Sequence, residues 1–301
     1  MRVLFPFEGM TYGGSHVSAL CLVEALKELE NITPIVGIHR VGQLSKILDE
    51  RDVEWVKLPA LPGPKGRHRF KNISLMLAAR EPFSRFLNCS GIDIVHTNEQ
   101  RMHVVWLLAT RRERVAHVWH QRTFLKSYQI ACFMLLPRAV ITISDACRST
   151  MPGFVKHRVR VIQNPVSVPS YKQISESNPI LKLLAARQSD TKVVLFVGNL
   201  QEQKRPLTFV RAARRAIDYW EGSLLFLMVG EDRSEAGDVV RDEIQKLKIA
   251  DQCFLVGSQW NIGPWYEQAD CVVAPAVDEA LGRTLIEASL FGKPVLPSRC
   301  G

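Results

Sequence analysis

No stretch of about 18 or more apolar residues occurs in this chain, which argues against a spanning helix. The longest candidate, Ile130 to Ile143, is short and is interrupted by Pro137 and Arg138. The opening residues Met1 to Pro6 lack the long apolar region and small-residue cleavage site of a signal peptide, and read as a first strand. The 7 cysteines form no Cys-x-x-Cys pair, and their number is odd. That pattern argues against a disulfide framework. Most of them sit in apolar sequence, which predicts buried free thiols in a reducing cytoplasm. No zinc-type His/Cys cluster is present. No Gly-x-Gly-x-x-Gly follows the first strand of either half, so a nicotinamide-dependent oxidoreductase is a poor reading. Internal repeats and low-complexity tracts are also absent.

What remains is ordinary globular composition, 47% hydrophobic and 23% charged, in 301 residues. That length suits two domains, each with its own core. The net charge of +9 is unevenly spread: residues 1–165 hold 23 Lys and Arg against 13 Asp and Glu, and the remainder holds 16 against 17. The first half therefore suits an anionic partner. Its densest part runs from Lys57 to Arg85, with Lys65, Arg67, Arg69, Lys71 and Arg80 between, opposed only by Glu81. Two readings stand: a solvated basic face, or a docking face for an anionic lipid acceptor or membrane surface. No recognition motif or interleaved aromatic platform supports nucleic acid as a partner.

Short apolar strands alternate with longer amphipathic segments. Strands are predicted at Val3–Phe7, Ile35–Ile38, Val53–Leu58, Ile92–His96, Val115–His120 and Ala139–Ser144. Helices are predicted at Gly14–Glu30, Phe70–Asn88 and Arg101–Arg111. A second series has strands at Val193–Val197, Leu224–Val229, Phe254–Val256, Cys271–Ala274 and Pro294–Leu296, with helices near 207–220, 237–249, 261–269 and 283–291. The pattern predicts an α/β chain of two Rossmann-like, doubly wound domains facing across a cleft. Residues 1–165 form an amino-terminal domain. Residues 166–190, rich in Pro, Ser and Asn, form a linker. Residues 191–301 form a second domain. It reads as incomplete at its carboxyl end, since Pro294–Leu296 is a strand and the chain stops at Gly301.

In such sheets ligands bind beyond the carboxyl ends of the strands, so the loops there matter most. After the predicted strand at Cys271–Ala274 comes a loop with Glu279 and Gly282, then a helix with Glu287, ended by Gly292. Gly282 permits close approach of backbone to a ligand. The N–H groups of Arg283, Thr284 and Leu285 at the helix start suit a diphosphate. On one continuous helix Glu279 and Glu287 would lie about 12 Å and about 80° apart, so they are no general acid/base pair. They straddle the phosphate site instead, as acceptors for hydroxyl groups on either side. Lys204, helped by Arg205, supplies positive compensation from the loop Gly198 to Pro206.

These residues carry a resemblance. The frame Glu279-Ala280-Leu281-Gly282, Glu287-Ala288, Gly292-Lys293-Pro294-Val295 resembles the signature of the family 4 retaining glycosyltransferases of GT-B fold. That family's phosphate loop is matched at Gly198, Leu200 and Lys204. It departs at Asn199, where Arg is common, and at Arg205, where Gly is common. Gly13-Gly14 before a helix resembles the glycine-rich loop near the transferred group. Asp93-Ile94-Val95-His96 resembles a usual strand. His120 ends a strand where the family often has a sugar-contacting His, and Ser144 and Asn164-Pro165-Val166 resemble further positions, with Pro165 in place of Gly. His96, His103 and His117 are read as structural or surface residues.

The resemblance implies sugar transfer from a UDP- or GDP-linked donor, with retention, to a glycan or lipid-linked acceptor in polysaccharide or glycolipid synthesis. His120, Lys204 and Glu279 would be catalytic. Gly13, Gly14, Gly198, Asn199, Lys204, Arg205, Gly282, Arg283, Thr284, Leu285 and Glu287 would bind the donor. Glu279 would hold sugar hydroxyls and Glu287 the ribose. The chain has no Asp-x-Asp, the usual metal signature of the other major glycosyltransferase fold. Metal independence, no cofactor, and a cytoplasmic place peripheral to the inner membrane face are therefore expected. An epimerase or hydrolase acting on nucleotide sugars is the runner-up. A non-catalytic nucleotide-sugar-binding protein is a third reading.

Overall fold

The computed structural model describes residues 1–63, 71–166, 184, 190–232, 235–259 and 261–298. They divide into two compact units, Met1–Pro165 and Val166–Gly301. The linker expected over 166–190 falls almost wholly outside the described residues. So do Lys65, Arg67 and Arg69 of the basic run, and the side chain of Lys71.

The first unit is a seven-stranded parallel sheet. Its strands are β1 (Arg2–Phe7), β2 (Thr33–Ile38), β3 (Trp55–Lys57), β4 (Ile94–Thr97), β5 (Ala116–Gln121), β6 (Ala139–Thr142) and β7 (Val159–Val161), in the order β3-β2-β1-β4-β5-β6-β7. The helices are α1 (Gly14–Lys27), α2 (Gln43–Glu50), α3 (Lys71–Ser90), α4 (Gln100–Val105), α5 (Leu107–Arg112), α6 (Tyr128–Phe133), α7 (Asp145–Ser149) and α8 (Gly153–Lys156). Successive side chains of a strand point to opposite faces, and β1 shows it. Val3, Phe5 and Phe7 pack with Ala19, Leu20 and Val23 of α1, while Leu4 packs with Ala79 and Phe83 of α3. Both faces are buried, as a parallel sheet requires.

The second unit has five parallel strands, β8 (Lys192–Val197), β9 (Leu224–Val229), β10 (Cys253–Gly257), β11 (Cys271–Ala274) and β12 (Val295–Pro297), in the order β10-β9-β8-β11-β12. Its helices are α9 (Pro206–Tyr219), α10 (Ala236–Lys246), α11 (Gly263–Gln268) and α12 (Arg283–Leu290), and a single 3-10 turn covers Glu202–Lys204. Phe226 and Met228 of β9 join Phe196, Phe209 and Val240 on one face. Leu225 and Leu227 join Leu195, Trp265 and Tyr266 on the other.

Several expectations need correction. The helix expected over Arg101–Arg111 is interrupted at Trp106, which is fully buried and donates its indole N–H to His39 Nε2 at 3.2 Å. The strand expected to reach Ser144 stops at Thr142, and Ser144 instead caps α7, its Oγ accepting the Cys147 N–H at 3.1 Å. The strand expected from Val53 begins only at Trp55, because Asp52 adopts φ +53°. Among the described cysteines only Cys147 and Cys253 are buried, and Cys89 and Cys132 are exposed. All six described cysteines are free. Among the described residues no helix is long and apolar enough to cross a membrane.

Candidate functional site

Each sheet reverses its strand order once, and such switch points create the crevice in which α/β ligands bind. In the second unit the reversal lies between β8 and β11. The loops that leave these two strands carry Lys204 and Glu279, and the structure joins them: Lys204 Nζ donates to Glu279 Oε2. Both side chains are about a quarter exposed (27% each), so the pair is open on one side.

Two glycines shape this end of the sheet. Gly282 caps α12 at φ +70°, ψ +44°, a conformation that costs any residue with a Cβ. A Cβ on Gly230, just beyond β9, would stand 1.9 Å from the Gly198 carbonyl oxygen. The loop after β8 and the loop after β9 therefore touch backbone to backbone. Asn199 Oδ1 ties them further by accepting the Glu231 N–H at 3.3 Å. Asn199 thus has a bracing role that its expected phosphate contact did not include.

The helix start differs in one detail from expectation. Leu285 N–H already donates to the Gly282 carbonyl at 2.9 Å, a 3-10 bond of the first turn. It is removed from the expected trio of phosphate donors. Among the described residues no acceptor takes the Thr284 N–H, and the Thr284 hydroxyl reaches the Val197 carbonyl at 3.4 Å.

Glu287 is buried, and both of its oxygens are engaged. Oε1 accepts from Arg283 Nε, one turn earlier on the same helix, and Oε2 accepts from the Tyr266 hydroxyl at 3.0 Å. Burial, reinforced by the Glu287 charge, raises the Tyr266 phenol well above its usual range, so it stays a donor. The charge that balances Glu287 is therefore Arg283, and Lys204 balances Glu279. Arg205, expected to help, is exposed and makes no ion pair among the described residues. A carboxylate has about four lone-pair sites, so each Glu retains acceptor capacity for a hydroxyl.

Arg205 matters for another reason. It sits at φ +50°, ψ +52°, between the 3-10 turn and α9. A left-handed backbone explains why glycine suits this position, and here a branched-off side chain carries the strain. Arg205→Gly is expected to stabilise the second unit by about 1 kcal/mol. Chemical denaturation monitored on that unit checks it, and a lower midpoint would remove strain as the account of this position.

In the first unit the reversal lies between β1 and β4. The residues that meet there were not singled out in the sequence. His16, in the first turn of α1, places Nε2 2.7 Å from Glu99 Oε1, and Glu99 Oε2 accepts the Glu8 N–H at 2.7 Å. His16 Nε2–H is thus committed to the carboxylate, while buried Nδ1 has no partner among the described residues. Beside it, a Cβ on Gly13 would meet nothing within 4 Å, so the glycine leaves open space at the helix start. Gly14 opens the helix itself.

A second buried polar group surrounds His120. Arg122 donates through Nε to Asn98 Oδ1 at 2.8 Å, through Nη1 to Asn164 Oδ1, and through Nη2 to His120 Nδ1 at 3.3 Å. His96 Nε2 also reaches His120 Nδ1, at 3.2 Å, with the rings stacked 5.3 Å apart. A guanidinium only donates, so His120 Nδ1 is the acceptor and the ring proton sits on Nε2. That Nε2–H is buried and has no partner among the described residues. Burial, with Arg122 and then His96 adding to it, pushes His120 down to about 2, which keeps it neutral. Asn98 and Arg122 were missed. Their signal was position alone, each lying just past the carboxyl end of a strand.

Residues 12–168 match the family described as Glycosyltransferase Family 4, and residues 185–301 match Glycosyl transferases group 1. An uncharacterized glycosyltransferase of Methanocaldococcus jannaschii, MJ1607, is 31% identical over 323 residues, covering 98% of this chain and 74% of that protein. D-inositol 3-phosphate glycosyltransferase 2 of Catenulispora acidiphila is 32% identical over 130 residues, 39% of this chain and 30% of its own length. The match to a second M. jannaschii glycosyltransferase, MJ1059, likewise spans only 35% of that protein. Among solved structures, Anabaena HepE in complex with UDP and glucose superposes with a TM-score of 0.77 over 100% of this chain and 81% of that one, at 19% identity, a likeness of fold.

Proposed function

The chain belongs to the family 4, group 1 glycosyltransferases, and from that premise we propose that it moves a sugar from a nucleotide-diphosphate sugar to an acceptor hydroxyl with retention of configuration. The observation that carries the proposal is the Lys204–Glu279 pair set beside the Gly282 helix start, with Glu287 held by Arg283 and Tyr266. An anion belongs at a helix start, and the two carboxylates can accept hydroxyl hydrogen bonds on either side of it. That is the order of groups in a nucleotide sugar. The UDP held by HepE is consistent with a UDP-linked donor.

Catalysis is then positioning and electrostatics. As the bond from the anomeric carbon to the diphosphate oxygen breaks, its electron pair passes to the diphosphate. Lys204 and the Thr284 N–H stabilise the charge that develops. The acceptor oxygen attacks from the face the diphosphate leaves, and a diphosphate oxygen takes the acceptor's proton. No side chain acts as nucleophile. His120 Nε2–H donates to a sugar oxygen, which satisfies a buried donor at the same time. His16 Nδ1, its tautomer set by Glu99, accepts from a hydroxyl on the acceptor side. The acceptor is a glycan, polyol or lipid-linked sugar, and the reaction serves surface polysaccharide or glycolipid synthesis at the cytoplasmic membrane face.

The test is release of nucleoside diphosphate from UDP- and GDP-linked sugars, in excess EDTA, with pooled polyol and lipid-linked acceptors. Transfer is expected to persist in EDTA, and the product's anomeric proton is expected to keep the donor's coupling constant. Inverted coupling would reject retention, and loss of transfer restored by added Mg²⁺ would reject metal independence.

A further inference from the structure

The positive excess of the first unit is less free than its sequence suggests. Arg40 and Arg101 pair with Glu8, Arg51 with Glu24, Arg148 with Asp145, and Arg85 and Arg112 share Glu81. Arg85 is the last residue of the basic run Lys57–Arg85, so part of that run is neutralised. Arg122 is buried among Asn98, Asn164 and His120.

Arg2, Arg80 and Arg160 are exposed and have no acidic partner among the described residues, and three further arginines of this kind gather at one place. Arg111, Arg114 and Arg138 are exposed, have no acidic partner among the described residues, and line one cavity of about 370 Å³ together with Leu107, Thr110 and Leu136. Arg114 precedes β5 and Arg138 immediately precedes β6, so the cavity lies at the amino ends of these strands. His16, Glu99 and His120 lie at the carboxyl ends of theirs. This is a second site on the unit, at the opposite edge of the sheet from the proposed chemistry. Arg114 holds φ +57° just past the end of α5, a position that glycine usually occupies.

Beside the arginines stand two exposed leucines, Leu135 at 43% and Leu136 at 39%. They lie on a turn that Arg158 pins through the carbonyl oxygens of Leu135 and Pro137. Guanidinium groups reach phosphates, and short apolar side chains enter the boundary between headgroups and acyl chains. A soluble anion would need only the arginines.

We propose that Arg111, Arg114 and Arg138 bind a lipid headgroup phosphate and, with Leu135 and Leu136, dock the protein on an anionic membrane surface. The assignment uses none of the residues in the proposed transfer site, so it stands or falls separately from that reading.

The experiment is sedimentation of the full chain with phosphatidylcholine vesicles, with and without phosphatidylglycerol. Wild type is expected to bind only the anionic vesicles. Replacing the three arginines with Gln should lower the partition coefficient roughly a hundredfold. Leu135→Ser with Leu136→Ser should weaken vesicle binding and leave binding of inorganic pyrophosphate unchanged. Lys57→Gln, Arg80→Gln and Arg85→Gln together should change sedimentation little. The proposal is overturned if wild type ignores anionic vesicles or if the Lys57–Arg85 variant loses binding as severely. It is also overturned if pyrophosphate binds at the arginines while the leucine variant sediments normally, since that describes a soluble-anion site. Circular dichroism confirms that each variant is folded.

Discussion

Lowering the pH from about 7 to about 5 is expected to unfold the first unit and leave the second folded. All 8 histidines fall within residues 1–165, and the second unit has none. Five are buried with depressed pKa values, burial being the largest cause in each. His39 is lowered to about 4, His96 and His117 to about 3, His120 to about 2, and His103 well below its ordinary value. Two of them must also accept a hydrogen bond, which needs a neutral ring: His39 Nε2 from the Trp106 indole N–H and His120 Nδ1 from Arg122. Thr97 Oγ1 bonds His103 Nδ1 at 2.7 Å and His117 Nε2 at 2.9 Å, and Trp119 stacks on His103 at 4.3 Å.

The direction follows from proton linkage. In the unfolded chain these imidazoles protonate near 6.5, while in the folded unit His39, His96, His117 and His120 remain neutral down to about 2–4 and burial holds His103 well below its ordinary value. Below about pH 6.5 the unfolded state binds more protons, so stability is fully present above that value and falls as the pH drops. Each such histidine contributes a slope of about 1.4 kcal/mol per pH unit. Five together consume the roughly 5–15 kcal/mol of an ordinary domain within one or two units. Hydrogen exchange read by mass spectrometry at stepped pH separates the two units. If both lose protection at the same pH, or the first keeps it at pH 5, these histidines are not the acid-sensitive element.

The second large effect is a separation of turnover from donor affinity. Lys204→Met is expected to lower kcat by roughly 10²–10³, the usual cost of removing one donor to a developing oxyanion. Glu287→Gln is expected to weaken donor binding by about tenfold to a hundredfold, with a smaller change in kcat, because it removes a charged acceptor for the ribose. Gln is chosen over Ala because its one carbonyl oxygen can still accept from Arg283, while its amide N–H can donate to the Tyr266 hydroxyl oxygen. Emptying the position would remove the carboxylate that Arg283, a largely buried charge, donates to, at about 3–5 kcal/mol. Isothermal titration and steady-state kinetics on the same preparations check the split. Equal losses of kcat and affinity in both variants would contradict the two roles.

The fold was legible because burial on both faces of a parallel sheet writes nearly continuous apolar runs into the strands. Their ends were less so. Asp52 turns at positive φ, and Ser144 prefers a cap to a strand, and neither is visible in hydrophobic periodicity. The carboxyl-terminal motif was legible because Glu279, Gly282 and Glu287 are close in sequence and one helix start organises them. Their ion pairs were not, since Lys204 is 75 residues from Glu279 and the β8–β11 junction alone unites them. His16 and Glu99 lie 83 residues apart and meet only because β4 pairs with β1. Arg205 was seen as a departure from glycine, while the left-handed backbone that makes it costly needed coordinates.

The most direct test of the central claim is a thermal titration of the wild-type chain with UDP- and GDP-linked sugars, following the second unit's midpoint. A ligand of the folded state raises that midpoint with concentration. One nucleotide sugar is expected to do so for wild type, with the shift reduced in Glu287→Gln and retained in Lys204→Met. No shift from any nucleotide sugar, or a shift that Glu287→Gln leaves intact, would contradict the donor site described here.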